Sequence, residues 1–380
     1  MDDTADSAPA EAPESWLIAL RAPALSARVL RTALAAAGGM AGLLACSRGG
    51  LIELGIAPET AAALLQPRRD LIESDLHWLH HSGCTLLPCS ARDYPAQLAE
   101  LPDAPPALFL RGRTELLSRP QLAVVGSRQP TAAGRRMARQ LAQQLGEAGV
   151  CITSGLARGI DTAAHQGALC ASAGTIAVCG TGLDLCYPPE NSALFERIAV
   201  EGLLVSEFPP GTSPRRHHFP RRNRIISGLT RGTLVVEAAA DSGSLITAKK
   251  ALDQGREVFA VPGSPLNPLA AGCLDLLCEG AHLVRGAADV LEHILVPMES
   301  KPVFNQEVET LHNGNSGTRR LDKDYEMLLD ALGFEPASID DLVDRTGLPP
   351  GSVASMMLIL ELDGRVESRP GALFNRITDR

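Results

Sequence analysis

Residues 122–155 read LAVVGSRQPTAAGRRMARQLAQQLGEAGVCITSG. Two short apolar, β-branched runs, LAVVG and VCITSG, each close on glycine. Between them Met137, Leu141 and Leu145 recur every fourth position and make one buried helix face. Strand, helix, strand is a crossover unit that leaves its two strands parallel. The alternation repeats through TIAVCG, LLVSE, TLVVEA, VFAVPG and AHLV. Residues 67–297 are therefore expected to form an α/β domain, an extended Rossmann-like fold on a mostly parallel sheet.

The chain changes character on both sides of this block. Residues 15–66 carry short apolar-periodic runs (WLIAL, ARVLRTAL, MAGLLAC, AAALL) broken by Gly and Pro, which predicts a small helical domain. Within it AAGGMAG reads as a helix-to-helix turn. Residues 1–14 are acidic and Ala/Pro-rich; they read as a disordered tail and lack the basic-then-apolar order of a signal peptide. Residues 298–319 gain Asn, Gly and charge and read as a linker. Residues 320–376 hold three short helical patterns, YEMLLDALGF, SIDDLVDRTG and SVASMMLILELDG, then a hairpin pattern, RVESRPGALFNRI. This order predicts a winged helix-turn-helix, with Ser338 and Asp341 forming a capping box.

Composition bounds the function. A length of 380 residues with 45% hydrophobic and 21% charged residues describes a globular protein of more than one core. The formal net charge is -9, so a site for a polyanion has to come from a local concentration of Lys and Arg. Nine cysteines include no CxxC pair, and the nearest pairs, Cys84/Cys89 and Cys273/Cys278, sit among leucines. They read as buried free thiols in a reducing compartment, with no metal site. No apolar run approaches the roughly 18 residues a membrane span needs. The expected location is cytoplasmic, with no membrane contact.

In open α/β sheets, ligands bind beyond the carboxyl ends of the strands, where helix N-termini offer unpaired amides. Here those ends carry Gly126-Ser127-Arg128, the stretch Ser154 to Asp161, and Gly180 to Gly182, while ADSGS follows TLVVEA. A dinucleotide site is excluded twice. The third residue of the first turn is Arg128 where close approach to pyrophosphate needs glycine, and the second strand ends in Ser154 where a ribose-binding acid belongs. No GxxxxGK[ST] loop exists for ATP.

What remains is a dense basic cluster. Between Gly211 and Gly232 stand Arg215, Arg216, Arg221, Arg222, Arg224 and Arg231, with no Asp or Glu. Guanidinium forks suit phosphate oxygens, and Phe219 among them offers a stacking platform for bases. Single-stranded nucleic acid satisfies both features. The structural alternatives stay open: an internal ion pair of Arg222 or Arg224 with Asp184 or Glu207, and a core position for Phe219. Asp161 reads as a helix cap and His165 as a packed histidine. Glu237, the one candidate catalytic carboxylate at a strand end, reads as structural.

VVGSRQPTAAG, ITSGLARGIDTAAHQGAL, TIAVCGTGLDLCYP, VSEFPPGTSP, HFPRRNRIISGL, VVEAAADSGSLITA and GREVFAVPG, in this order, resemble the DNA processing protein A (DprA/Smf) family over roughly residues 95–290. The resemblance implies a non-catalytic, cofactor-free protein that binds single-stranded DNA, forms a homodimer, protects incoming DNA and helps load RecA recombinase during natural transformation. It implies that the helical domain is of the SAM or helix-hairpin-helix type. It also carries the DNA contacts onto Gly126, Ser127, Arg128, Ser154, Gly155, Ala157, Arg216, Phe219, Arg222, Asn223, Arg224, Ser242, Gly243 and Ser244. For the dimer, the apolar stretch PLNPLAAGCLDLL points to Leu269, Leu274, Leu276 and Leu277, with core packing the alternative for the last two. Leu274 departs from the family pattern G-x-N-x-L-I, where Asn is usual.

Two rival functions fare worse. A nucleotide hydrolase of related fold would carry PGGxGTxxE, which is missing. A winged-helix transcription regulator would need base-reading side chains, yet SVASMMLILELDG has no Lys, Arg, Asn or Gln. From Asp322 to Arg376 eleven acids face five bases, a balance that repels duplex DNA and points to a protein partner or to autoinhibition of the basic cleft.

Overall fold

The computed structural model describes residues 12–294, 323–332, 336–362, 365–369 and 373–377. It divides into two units, Met1–Lys301 and Pro302–Arg380. Most of the expected tail and all of the expected linker lie outside the described residues.

The first unit opens with six helices: α1 (Pro13–Arg21), α2 (Ala27–Ala37), α3 (Met40–Ala45), α4 (Arg48–Glu53), α5 (Pro58–Leu65) and α6 (Arg69–Leu79). Pro13 stands in the first turn of α1, where a missing amide donor costs nothing, so the helix starts inside the stretch read as tail. Gly38 ends α2 in the left-handed region (φ 74°) and Gly39 N–H returns to the Leu34 carbonyl at 2.9 Å. AAGGMAG is thus a turn between helices. Trp16, Leu30, Met40, Leu43 and Leu51 form the core of this layer.

The helices are not a separate body, and the helical part runs beyond residue 66. Leu17 of α1 and Ile72 of α6 are buried in one cluster with sheet residues Phe109 and Leu204. Arg21 joins three segments. Its Nε donates to Asp75 Oδ2 on α6 at 2.8 Å, and its Nη2 donates to the Pro210 carbonyl at 2.8 Å.

The sheet then assembles from β1 (Cys84–Pro88), β2 (Ala107–Gly112), β3 (Gln121–Val125), β4 (Cys151–Ser154), β5 (Thr175–Val178), β6 (Leu203–Ser206), β7 (Gly232–Val235), β8 (Glu257–Ala260) and β9 (His282–Leu283). Its order is β1-β2-β6-β5-β4-β3-β7-β8-β9. From β6 to β9 every neighbouring pair is parallel, while β2 pairs antiparallel with β6, and β1 with β2. The intervening helices are α7 (Ala96–Ala99), α8 (Ala132–Glu147), α9 (Ile160–Ala168), α10 (Ser192–Glu201), α11 (His218–Gly228), α12 (Gly243–Asp253), α13 (Ala271–Cys278) and α14 (Ala287–Ile294). Apolar clusters cover both faces of the sheet, one built on Val125, Val178, Val205 and Val235, the other on Leu122, Val124, Ile152 and Leu234. Strands buried on both faces read as continuous apolar runs, which is how they stand in the sequence.

In the second unit, α15 (Lys323–Leu332), β10 (Ala337–Ser338), α16 (Ile339–Thr346), α17 (Pro350–Leu362), β11 (Val366–Arg369) and β12 (Leu373–Arg376) make a winged helix. Leu328, Leu342, Val353, Met357 and Leu360 fill its core. Ser338 caps α16 as expected: its Oγ accepts from Asp341 N–H at 3.1 Å, and Asp341 Oδ2 accepts from Ser338 N–H at 2.9 Å. Among the described residues no helix is long and apolar enough to cross a membrane.

Candidate nucleic-acid interface

The loops leaving β3, β4, β5, β6 and β7 meet at one edge of the sheet, because parallel strands present all their carboxyl ends on the same side. Backbone bonds lock these loops to one another. Ser127 N–H donates to the Glu237 carbonyl at 2.6 Å, Ile160 N–H to the Ser127 carbonyl at 3.1 Å, and Gly182 N–H to the Thr212 carbonyl at 3.0 Å. Gly159 is required where the 127–130 loop meets α9. It holds φ +81°, and a Cβ there would lie 2.3 Å from the Ser127 carbonyl oxygen.

The chain from β6 to β7 must pass β5, β4 and β3, and α11 makes part of this journey over the carboxyl ends of β4 and β5. A helix turns about 100° per residue, so neighbouring arginines on α11 diverge. Arg222 points inward: it is 5% exposed, and its Nη1 donates to the Gly155 carbonyl at 2.6 Å and to that of Val178. Arg224, 4% exposed, donates from Nη2 to Glu207 Oε2 at 2.6 Å. Arg221 also reaches Glu207, at 3.0 Å from Nε, but half of its side chain faces solvent. Arg128, Arg215, Arg216 and His217 are exposed.

Aromatic rings stand beside these cations. Half-buried Phe219 has its centroid 5.4 Å from that of Tyr187, which is 46% exposed. Phe208 stacks on His218 at 4.1 Å under the Arg221 guanidinium. Next along the edge, Ser242 caps α12, with Gly243 exposed and Ser244 half-buried.

The structure thus sorts the residues singled out from sequence. Arg128, Arg216, Phe219, Asn223, Ser242, Gly243 and Ser244 reach the surface at least in part, as do Gly126 and Ala157. Ser127 is nearly buried, its Oγ accepting from Gln129 N–H at 3.1 Å. Ser154 Oγ donates to the Val124 carbonyl at 2.6 Å inside the fold, and Gly155 is buried. Arg222, Arg224, Ser154 and Gly155, expected as ligand contacts, are buried and bonded within the frame of the edge. Arg215, Arg221 and the Tyr187 ring are exposed at the same edge. The place of Tyr187 beside Phe219 is not legible in sequence, because a lone Tyr before Pro carries no periodic signal.

Three acidic and basic groups behind the edge are structural. Both Glu237 oxygens are engaged by Thr131, through its N–H at 2.9 Å and Oγ1 at 2.6 Å. Asp161 accepts from Gly155 and Ala157 N–H at 3.1 and 3.2 Å, so it pins the loop before α9 and does not cap the helix. Burial raises the Asp161 carboxyl pKa and lowers that of the Arg222 guanidinium, and each is a compensating charge for the other. Fully buried His165 bonds Thr175 Oγ1 through Nδ1 at 2.7 Å, and burial holds it down to about 3 from 6.5.

The His165 shift has a sign that can be tested. Between 6.5 and about 3 the unfolded chain binds a proton that the folded chain refuses, so stability is lost as pH falls. From about pH 7 to about pH 5 this group should cost about 2 kcal/mol. Urea unfolding of wild type and His165→Gln at both pH values checks it, the variant losing that much less.

The apolar segment after β8 is tied to the same edge, since Ala238 N–H donates to the Leu269 carbonyl at 2.8 Å. Leu276 is 3% exposed and lies in the core, the alternative left open for it, and half-buried Leu277 packs against that core. Leu269 and Leu274 are half-buried, and Leu266, not singled out from sequence, is 93% exposed. Among the described residues no group of His, Cys, Asp and Glu is arranged to hold a metal ion.

Residues 85–295, the block that carries this edge, match the family model of DNA recombination-mediator protein A, and residues 315–372 match that of the DprA winged helix domain. The chain belongs to the DNA recombination-mediator protein A family. Protein Smf of Escherichia coli is 41% identical over 322 residues, covering 84% of this chain and 85% of that one. The structure of DNA processing protein A from Streptococcus pneumoniae aligns with a TM-score of 0.67 at 36% identity, over 75% of this chain and 99% of that one. DNA processing protein A of Helicobacter pylori, described for its single-stranded DNA binding mode, aligns with a TM-score of 0.52 at 30% identity, over 57% of this chain and 97% of that one. Membership of this family gives the chain a DNA-processing role in recombination.

Proposed function

We propose that this DNA recombination-mediator protein A binds single-stranded DNA along the carboxyl edge of its parallel sheet, without chemistry and without a cofactor. The observation that carries the reading is the exposed set Arg128, Arg215, Arg216 and Arg221 beside the Phe219–Tyr187 rings, in a chain whose net charge is -9. Backbone phosphates meet the guanidinium groups, bases meet the rings, and the amides at the start of α12 add neutral donors. Glu237, the carboxylate that follows β7, has both oxygens engaged by Thr131 and so is held as part of the frame. The single-strand binding mode of the Helicobacter pylori relative supports the same ligand.

Bound DNA is held by a homodimer joined through Leu266, Leu269 and Leu274, and two linked sites raise the effective concentration of one strand at the second site. This arrangement, in the cytoplasm, protects incoming DNA and helps RecA recombinase nucleate during natural transformation. RecA filament growth on DNA precoated with single-strand-binding protein, with and without this protein, tests that role.

The binding test comes first. Oligonucleotides titrated at two salt concentrations should bind more tightly as single strands than as duplex, with log K falling by about 0.7 per phosphate contact for each decade of salt. Arg128→Gln with Arg216→Gln should lower that slope, whereas Phe219→Ala should weaken binding by about 1–3 kcal/mol with the slope nearly unchanged. Equal affinity for duplex DNA defeats the proposal.

A further inference from the structure

Away from the strand ends, α8 carries a second basic feature that the edge does not use. From Ser127 to Gly146 there are four arginines (Arg128, Arg135, Arg136, Arg139) and no Asp or Glu. Arg135, Arg136 and Arg139 are all exposed. With Ala132 they make the i, i+3, i+4, i+7 stripe of one helix face, and with Ala163 and Gln166 of α9 they line a groove of about 360 Å³. α8 and α9 approach closely because Gly167 lets them: a Cβ there would lie 2.0 Å from the Arg139 carbonyl oxygen.

Fold stability does not explain these arginines. They fall in the N-terminal half of α8, and Arg139 stands three and four residues from its two like-charged neighbours, a spacing that destabilises a helix. Two of the six lining residues are alanines and carry little bulk into the groove. Ala132, at the start of the stripe, follows the 127–130 loop, which packs on Gly159 just before α9, so the stripe begins four residues along the chain from Arg128 of the proposed binding edge.

We propose that the α8–α9 groove is a second phosphate-binding track, which takes the backbone of the same single strand as it leaves the edge at Arg128. The inference rests on the single-strand reading of that edge. The edge holds bases against rings, and the groove contacts phosphates alone, since no aromatic side chain lines it.

The test compares a short oligonucleotide of about 6 nucleotides, which fills the edge only, with one of about 30 that continues into the groove. In Arg135→Gln/Arg136→Gln/Arg139→Gln the long strand should bind on the order of tenfold more weakly, and its salt slope should fall by about 2, from three contacts at about 0.7 each. The short strand should bind as to wild type, and the triple Arg→Lys variant should retain the long-strand affinity. Unchanged long-strand affinity and slope, as expected if the groove serves another acidic partner, overturn the track. Equal losses for both lengths overturn it too. Arg128→Gln/Arg216→Gln serves as the separate control. Weakening of both lengths upholds the edge, and wild-type binding by that variant sinks the edge reading whatever the groove does.

Discussion

Glu207→Ala is expected to lower the stability of the first unit by about 3–5 kcal/mol, because it removes one side of a buried ion pair and strands the other. The Glu207 carboxylate is buried at the end of β6 and holds Arg224 at 2.6 Å and Arg221 at 3.0 Å. Arg224 keeps only Asp103, an exposed residue 3.4 Å from its Nε. Urea midpoints of the purified variant measure the effect. Glu207→Gln should lose less, since it keeps an acceptor for both arginines. Arg221→Ala should stay within about 0.5 kcal/mol of wild type, as surface substitutions do. A Glu207→Ala midpoint equal to that of wild type would show that the pair does not hold α11 in place.

Arg222→Met carries the second large effect. The guanidinium satisfies the carbonyls of Gly155 and Val178 where β4 and β5 end, and it faces the buried Asp161 carboxylate. Methionine of similar length fills the space and leaves both carbonyls unpaired, at about 1–3 kcal/mol each, beside an uncompensated acid. A loss of roughly 3–5 kcal/mol follows, read as a fall in thermal and urea midpoints. Because Arg222 points inward, the salt slope of single-strand binding per folded molecule should not change. Full stability with a reduced slope would instead place Arg222 on a phosphate and reverse its assignment.

The two variants show where the sequence was legible. The strands from β3 to β9 were readable because each is a short apolar run, ended by glycine or a small polar residue and followed by a helical period. β1 and β2 were not: CTLLP and ALFLRG stand among prolines, are followed by no such helix, and pair antiparallel with partners distant in sequence. The helical layer was readable as helices, but its fusion with the sheet was not. That fusion rests on Leu17, Ile72 and Phe109 meeting from distant parts of the chain.

By itself the sequence determined the parallel sheet, the edge at which its loops gather, the winged helix and the concentration of arginine in an acidic chain. These follow from periodicity and composition, which are local properties of the chain. Only the tertiary structure decided which arginines are available. Arg221, Arg222 and Arg224 lie within four residues, yet the helical turn sends one to solvent, one to the carbonyls of β4 and β5, and one to Glu207. The same holds for Leu266 and Leu276, ten residues apart and equally apolar, of which packing exposes one and buries the other. A residue's type sets what it can bind, and the partners brought to it by the fold set whether it is free to do so.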